Sequence, residues 1–408
     1  MTDVVDNILK NSANITPAIV LGLSFNGLGI VRSLVGFNIP LIGIYTQDYE
    51  VGRHSKYCMA INFPILSSDP DNFKKKLIEL GKILNRKSVL LPQNDEYVKF
   101  ISDNRDELKH FFLFQVAPAK ILDKLINKQE AESLAIENKL NVPKSFIPHN
   151  LNDLNFENGT LQFPLIIKPS DSFTKDFPGR RQVINSQSDL IDFYNNNPDF
   201  IGYTIVQEVV GEGDGNIFQC QTYLNSNSEP LAAISVRKVR QFPPNFGVGS
   251  YVTSEINNDL INLSLNFLKK IKYKGPASLE FIFLEVEKKY VFVELNPRYP
   301  GHIIFCTQDG VNLPYITYCD LTQNIYNEKL PIQLERKRFL WFECDIRAYF
   351  NYIKRGKAPN FFSWIKTYLT ANSFLYFNRR DILPFLFQLL IYRRITTLMH
   401  KVKILFKK

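Results

Sequence analysis

The chain has 408 residues, 45% apolar and 22% charged, a size that divides into two or three folded domains and a balance that argues against wholesale disorder. Its net charge of +9 suits a polyanionic partner, phosphate-bearing small substrates or an anionic membrane surface, so the distribution of that charge must decide. The five cysteines are widely spaced without a CxxC pair, which argues against a zinc ribbon or disulfide framework and suits reduced thiols of a cytoplasmic protein. The opening MTDVVDNILKNSANI lacks the apolar core of a secretory signal, and no apolar run approaches the roughly 20 residues of a spanning helix.

Residues 18–48 (AIVLGLSFNGLGIVRSLVGFNIPLIGIYTQD) run from an apolar stretch through a glycine-containing turn and an amphipathic stretch to a second apolar run, the β-α-β signature of an open parallel sheet. Gly22, Gly27 and Gly29 invite a dinucleotide reading, but Arg32 stands where the third glycine of GxGxxG belongs and no P-loop lysine follows. Close packing of helix on strand is the better use for them. SVLLPQND at 88–95 reads as a further strand ending in polar residues, with a helical stretch from Glu96 to Leu108 behind it. KLINKQEAESLAIENKL reads as one amphipathic helix closed by Asn141 and Pro143.

From Pro164 to about Asn296 the pattern is mostly strands, with one helix near Asp259–Lys270. In FPLIIKPS, Lys168 is a lone charge on an apolar strand beside Ile166, a position that calls for an anionic partner. YTIVQEVVGEGDG is a strand that ends in acidic and glycine residues, where exposed backbone groups are available to read an adenine edge. In AISVRKVRQFPPNFGVGS, alternation sends Lys238 and Arg240 to one face and Arg237 to the other, and one of these faces is expected to meet phosphates or an acidic substrate; a basic strand edge kept in solvent is the plainer alternative.

The most informative segment is ASLEFIFLEVEKKYVFVELNPR, residues 277–298. Two strand-like runs flank the polar stretch Glu285–Lys289, and a turn centred on Glu287 sets Glu280 opposite Glu294. Asn296, Ile282 and Phe292 then share the carboxylate face, while Leu279, Phe281, Phe283, Val291, Val293 and Leu295 make an apolar face behind it. Two carboxylates opposed across a strand pair repel unless a cation lies between them. Two Glu and one Asn supply the hard oxygen donors that magnesium takes, and Arg298 lies just past the strand end, placed to hold phosphate or carboxylate oxygens. The alternative is an outward, solvated face paired with lysines.

These segments in this order resemble the ATP-grasp superfamily: Lys128 in NKQEAESLAIENKLNVP, Lys168 in IIKPS, Glu208 in VQEVVGEG, Glu280 in SLEF and Glu294-x-Asn296-x-Arg298. Over residues 18–320 the chain is most similar to stand-alone carboxylate–amine ligases of the D-aspartate ligase kind, and to the nucleotide domains of biotin carboxylase and carbamoyl phosphate synthetase. The residue pattern places boundaries near 115 and 325 and makes the aromatic-rich, basic region at 326–408 helical; the resemblance implies an α/β chain whose 1–115 is an open parallel-sheet domain and whose 116–325 is a two-lobed ATP-grasp domain with antiparallel sheets. It implies ATP with one or two magnesium ions, manganese being an alternative. Lys128 and Lys168 would contact phosphates, Glu208 with the backbone of Val209 and Val210 would read adenine, and Asp214, or Glu212 beside it, would hold ribose. Glu280, Glu294 and Asn296 would ligate the metal, and Arg298 would steady the transferred phosphoryl group, with Lys238 and Arg240 as further catalytic candidates. Two departures stand out. The phosphate-covering loop, SDSFTKDFPGRR, holds a single glycine, and Asn127 replaces the aspartate that usually precedes the first lysine.

The implied activity is ligation of a small carboxylic acid, an amino acid or cell-envelope precursor, to an amine through an acyl phosphate. An idle binding protein would have lost its metal ligands, and both Glu280 and Glu294 are present. No nucleic-acid partner is expected, because the basic residues form no stripe interleaved with stacking aromatics. A homodimer is compatible with this reading. The tail RRDILPFLFQLLIYRRITTLMHKVKILFKK carries Arg393, Arg394, Lys401, Lys403, Lys407 and Lys408 among apolar residues, so a helix through Leu389–Phe406 has either a terminal packing role or a peripheral contact with an anionic membrane.

Overall fold

The computed structural model describes residues 15–156, 161–170, 177–178, 181–211, 214–245, 247–324, 332–335 and 337–390. Among these the strands form three sheets. The first is parallel, in the order β3-β2-β1-β4-β5, from β1 (Ala18–Leu21), β2 (Leu41–Tyr45), β3 (Met59–Asn62), β4 (Ser88–Pro92) and β5 (Phe112–Leu113). β1 and β4 are buried along their whole length, which is why they read as continuous apolar runs. Helix α1 (Phe25–Ser33) follows β1, α2 (Pro70–Leu84) precedes β4 and α3 (Asp95–Asp103) follows it.

The glycines after β1 serve packing. Gly22 has φ +86°, and a Cβ there would lie 2.0 Å from the Gln93 side chain, so only glycine fits the turn. Gln93 Oε1 accepts from the amides of Ser24 (3.0 Å) and Gly27 (3.1 Å), and the Leu23 amide donates to Glu50. The donors that a dinucleotide would need are taken. Gly29 faces Ile303, whose Cγ2 would be 2.6 Å from an added Cβ.

The expected single helix over KLINKQEAESLAIENKL is two helices, α4 (Ala119–Ile126) and α5 (Lys128–Glu137). Asn127 breaks them: its backbone is extended, and its side chain caps α5 by accepting from the Glu130 amide at 3.1 Å. The second sheet is antiparallel, order β6-β9-β7-β8, from β6 (Ser145–Phe146), β7 (Leu165–Pro169), β8 (Gln182–Ile184) and β9 (Thr204–Glu208). One face closes a small core of Leu165, Ile167, Val206, Leu190 and Tyr194, leaving Ile166, Lys168 and Gln207 on the other.

The third sheet is the largest, order β14-β13-β10-β11-β12-β15-β16. It comprises β10 (Ile217–Leu224), β11 (Pro230–Phe242), β12 (Val248–Ser254), β13 (Gly275–Leu284), β14 (Lys289–Asn296), β15 (Arg338–Leu340) and β16 (Ser373–Phe374). Helix α6 (Asn258–Lys270) buries Phe267 and Leu268 against Phe218, Leu279, Phe281 and Phe292, and this core runs on into that of the first sheet. α7 (Ile303–Gln308) docks the other face of the third sheet onto α1.

The C-terminal region departs from the all-helical expectation. Alongside α8 (Phe342–Lys354) and α9 (Phe361–Thr370) it supplies β15 and β16, two strands too short to show a period-two pattern. A buried ion pair ties it to the first sheet: Arg32 Nε lies 3.1 Å from Asp381 Oδ2, and the guanidinium also donates to the carbonyls of Tyr376 (3.0 Å) and Asp381 (2.9 Å). Asp381 further accepts from Ser55 Oγ at 2.9 Å and the Lys56 amide at 3.1 Å. The chain is helical from Leu383 to Leu390; from residue 391 on, the expected basic helix of Leu389–Phe406 lies outside the described residues. No described helix is long and apolar enough to cross a membrane.

Removing one partner of a buried pair strands the other charge, which costs about 3–5 kcal/mol. Asp381→Ala is therefore expected to shift the urea midpoint strongly downward. A shift equivalent to less than about 1 kcal/mol, the value of an exposed pair, would show that Arg32 finds water instead.

Candidate functional site

A cleft of about 440 Å³ lies between the second sheet and the facing side of the third. Its floor is the β13–β14 hairpin. Glu280 pairs directly with Glu294, as expected, but by a different route. The turn is Glu285–Lys288, four residues, so Leu284 pairs with Lys289 and unbroken pairing would set Glu280 against Val293. A bulge at Val293 inserts one residue and restores the carboxylate pair. It also reverses the expected faces downstream: Phe292 turns to the apolar core beside Phe281, while Val293 lines the cleft and Val291 lies across from Ile282.

The repulsion between the two carboxylates is relieved by cations that single-strand reasoning did not pair with them. Lys238 Nζ donates to Glu280 Oε2 at 2.5 Å, and Gln219 Nε2 donates to the same oxygen at 2.7 Å. Glu294 accepts from Asn296 Nδ2 at 2.9 Å, and Asn296 Oδ1 accepts from Arg298 at 2.9 Å. Burial raises the proton affinity of Glu294, but the Asn296 amide and the charges of Lys238, Arg181 and Arg298 outweigh it and hold the carboxyl below its ordinary value. Arg298 is itself aimed by Asp95, 3.0 Å away at the start of α3. Asp95 follows the strand whose polar end was noted in the sequence, at the carboxyl edge where parallel sheets place ligands.

Lys168 has the anionic partner its apolar strand called for. Its Nζ lies 3.5 Å from Glu132 Oε1 on α5 and 3.0 Å from Gln207 Oε1 on β9. Burial lowers its proton affinity, against the pull of Glu132 and Glu294. Lys128 lies nearby, its Nζ donating to the Pro169 carbonyl at 2.6 Å. Arg181 and Lys357 complete a lining of six basic side chains against four acidic ones, a cleft that favours an anion. Glu132, Gln207, Arg181, Asp95 and Gln219 were not singled out in the sequence; only the polar strand end before Asp95 carried a signal.

At the end of β9, Glu208, Val209, Val210 and Gly211 line the cleft. Gly211 has φ +66°, and an added Cβ would press within 3.0 Å of Ile282 and Leu284. The Val209 amide already donates to the Pro164 carbonyl at 3.1 Å, and Glu208 Oε1 accepts from the Gln162 amide at 2.8 Å.

Two expected site residues lie elsewhere. Arg240 does not share the cleft with Lys238, because a bulge between them breaks the alternation. Its guanidinium grips Asp345 on α8 at 2.8 and 2.9 Å, donates to Thr367 and stacks 4.5 Å from the Tyr251 ring centre. Asp214 accepts from Gln241 and the Asn245 amide, both at 2.9 Å, and does not line the cleft. Glu212 and most of the loop 170–181 lie outside the described residues.

Glu280, Glu294 and Asn296 present three oxygen-bearing side chains on one shielded strand face, a donor set that fits a hard divalent cation keeping places for water and phosphate. Among the described residues no cluster of three or more His, Cys, Asp or Glu offers a metal site built from those residues alone.

No family model matches the sequence. The chain is 25% identical over 317 residues to the D-aspartate ligase of Enterococcus faecium (strain Aus0004), covering 72% of this chain and 74% of that protein. In three dimensions it is similar to the biotin carboxylase–β,γ-ATP complex of Campylobacter jejuni, with a TM-score of 0.62 and 14% identity over 80% of this chain and 75% of that one. It is likewise similar to the L-amino acid ligase of Bacillus licheniformis, with a TM-score of 0.57 and 13% identity over 78% of each chain.

The two basic residues flanking Lys238 are expected to differ in a stability assay. Arg240→Met leaves Asp345 buried and unpaired, a loss of about 3–5 kcal/mol. Arg237 is half-exposed and 3.8 Å from Glu255, so Arg237→Met is expected to lose on the order of 1 kcal/mol or less. Equal losses in urea titration would overturn this ranking.

Proposed function

We infer that this chain is an ATP-grasp enzyme that forms carbon–nitrogen bonds and that it works through an acyl phosphate, taking a small carboxylic acid first and an amine second. The observation that carries this reading is the opposed Glu280–Glu294 pair, set on a shielded sheet face with Lys238, Arg298, Lys168 and Arg181 around one cleft. Phosphoryl transfer asks of a protein chiefly alignment and charge neutralisation, and this set offers both.

In the first step a carboxylate oxygen attacks the γ-phosphorus; that P–O bond forms as the bond to the β–γ bridging oxygen breaks, and ADP leaves. In the second an amine nitrogen attacks the acyl carbon, the C–O bond to phosphate breaks, and the nitrogen loses a proton. Glu280, Glu294 and Asn296 would hold a magnesium ion, which would supply positive charge to neutralise the phosphates. Lys128 and Lys168 would hold phosphate oxygens from the second-sheet side, where Glu132 and Gln207 fix the Lys168 ammonium. Arg298, oriented by Asp95 and Asn296, would meet the transferred group. Base reading is assigned to Glu208 and the backbone of Val209 and Val210, which line the cleft at the end of β9, with the Val209 amide itself held by the Pro164 carbonyl.

We read the chain as a parallel-sheet unit to about residue 115 and a two-lobed catalytic unit beyond it, to which β15 and β16 belong. The name of the Enterococcus faecium relative makes amino acids the first acids to test.

Purified protein with magnesium and ATP is expected to release ADP only when acid and amine are both offered, or acid and hydroxylamine. Glu294→Gln should lower that release at least about 100-fold, the scale of losing one pre-organised electrostatic group, without moving the unfolding midpoint. Unchanged turnover would remove Glu294 from the machinery. Lys168→Met is expected to weaken nucleotide binding about 10- to 100-fold, the range of a charge-assisted hydrogen bond. A loss of stability with unchanged nucleotide affinity would mark that lysine as structural.

A further inference from the structure

Next to the nucleotide cleft is a second chamber of about 130 Å³. The two share Lys238, Glu280, Glu294, Asn296 and Arg298, so a carboxylate in the chamber would reach the same charged boundary as the terminal phosphate. The rest of the chamber has another character. Phe25, Phe339, Trp341 and Leu375 line it, together with the uncharged Gln219 and Ser278. Trp341 and Leu375 come from the C-terminal region that the Arg32–Asp381 pair ties down.

His302 also lines this chamber. It is 7% exposed, its ring packs 5.9 Å from the ring centres of both Phe305 and Phe339, and its Nε2 has no hydrogen-bond partner among the described residues. Burial, with Lys238 nearby, pushes its proton affinity down to about 3, so the ring is neutral at ordinary pH. Buried polar atoms are nearly always partnered, and this one lines a cavity, so a ligand group is the natural partner.

We propose that this chamber holds the acid that is phosphorylated, and that the acid is a monocarboxylate with an apolar body, one polar substituent of which meets His302. The inference rests on the acyl-phosphate reading for the word phosphorylated, and on the chamber alone for the chemical class. One carboxylate has Lys238 and Arg298 to meet at the shared boundary. Among the described residues lining the chamber there is no other lysine or arginine. The second carboxylate of an acid such as aspartate would therefore be desolvated against aromatic rings with no counter-charge. The class thus differs from the acid named for the Enterococcus faecium relative. His302 acts here as a positioning residue for the substituent, and Trp341 as the wall that excludes water from the body.

The test uses the full chain with magnesium and ATP, and hydroxylamine as the amine, so that an acyl phosphate is read as a hydroxamate. Leucine, phenylalanine, their D-forms and simple aliphatic acids are compared with aspartate and glutamate, and binding of the same acids is followed by thermal shift with a non-hydrolysable ATP analogue. Apolar monocarboxylates are expected to show a KM at least tenfold below that of the dicarboxylates. Trp341→Ala and His302→Ala should each raise it about tenfold with the KM for ATP unchanged, and His302→Gln should restore part of the loss. Hydroxamate formed preferentially from aspartate or glutamate would overturn the chamber assignment while leaving the ligase reading intact. An apolar acid that binds without hydroxamate or ADP would support the chamber and remove the ligase reading. No binding or turnover with any acid would overturn both.

Discussion

Two like charges placed directly across a strand pair are the constraint around which this molecule is organised. Glu280 and Glu294 repel, and the hairpin that carries them persists because the rest of the fold delivers compensation to one spot. Lys238 arrives from β11, three strands away from β14, and Arg298 from just past the hairpin, held by Asp95 at the start of α3 behind the first sheet. Lys168 and Arg181 approach from the second sheet. Every sheet therefore contributes a charge to the same cleft, and the arrangement suits a polyanionic nucleotide that adds negative charge as it binds.

The same arrangement explains the position of the C-terminal region. β15 and β16 extend the third sheet beyond β12, and Arg32–Asp381 fastens the following segment to the first sheet. This brings Trp341 and Leu375 against the back of the charged site and gives it an apolar wall. Low polarity there strengthens each interaction at the carboxylate pair, since charges act more strongly where water is excluded. Arg240 belongs to this closure: with Asp345 it clamps α8 onto β11.

Several features were legible from residue order because they depend on local physics. The parallel sheet shows in continuous apolar runs, the lone Lys168 announces an anionic partner, and alternation keeps Glu294 and Asn296 on one face. Other features were misread where a local rule is broken by one residue. The bulge at Val293 exchanged the faces of Val293 and Phe292, and the bulge after Lys238 took Arg240 out of the cleft. Asn127 split one helix into two, since an extended cap interrupts the helical backbone while leaving the apolar spacing almost unchanged.

By itself the sequence determined the order of the elements and the chemical types at the site: two carboxylates and an amide on a strand, lysines on strand and helix, an arginine past the strand end. These follow from side-chain periodicity, which is a property of neighbours along the chain. Tertiary structure alone decided which charges meet. The pairing of Lys238 with Glu280, of Asp95 with Arg298 and of Glu132 with Lys168 joins residues 42, 203 and 36 positions apart. It also decided that His302 lies in an aromatic chamber with a nitrogen that has no partner among the described residues. Such contacts are set by how sheets and helices stack around shared cores, and no spacing along the chain records that stacking.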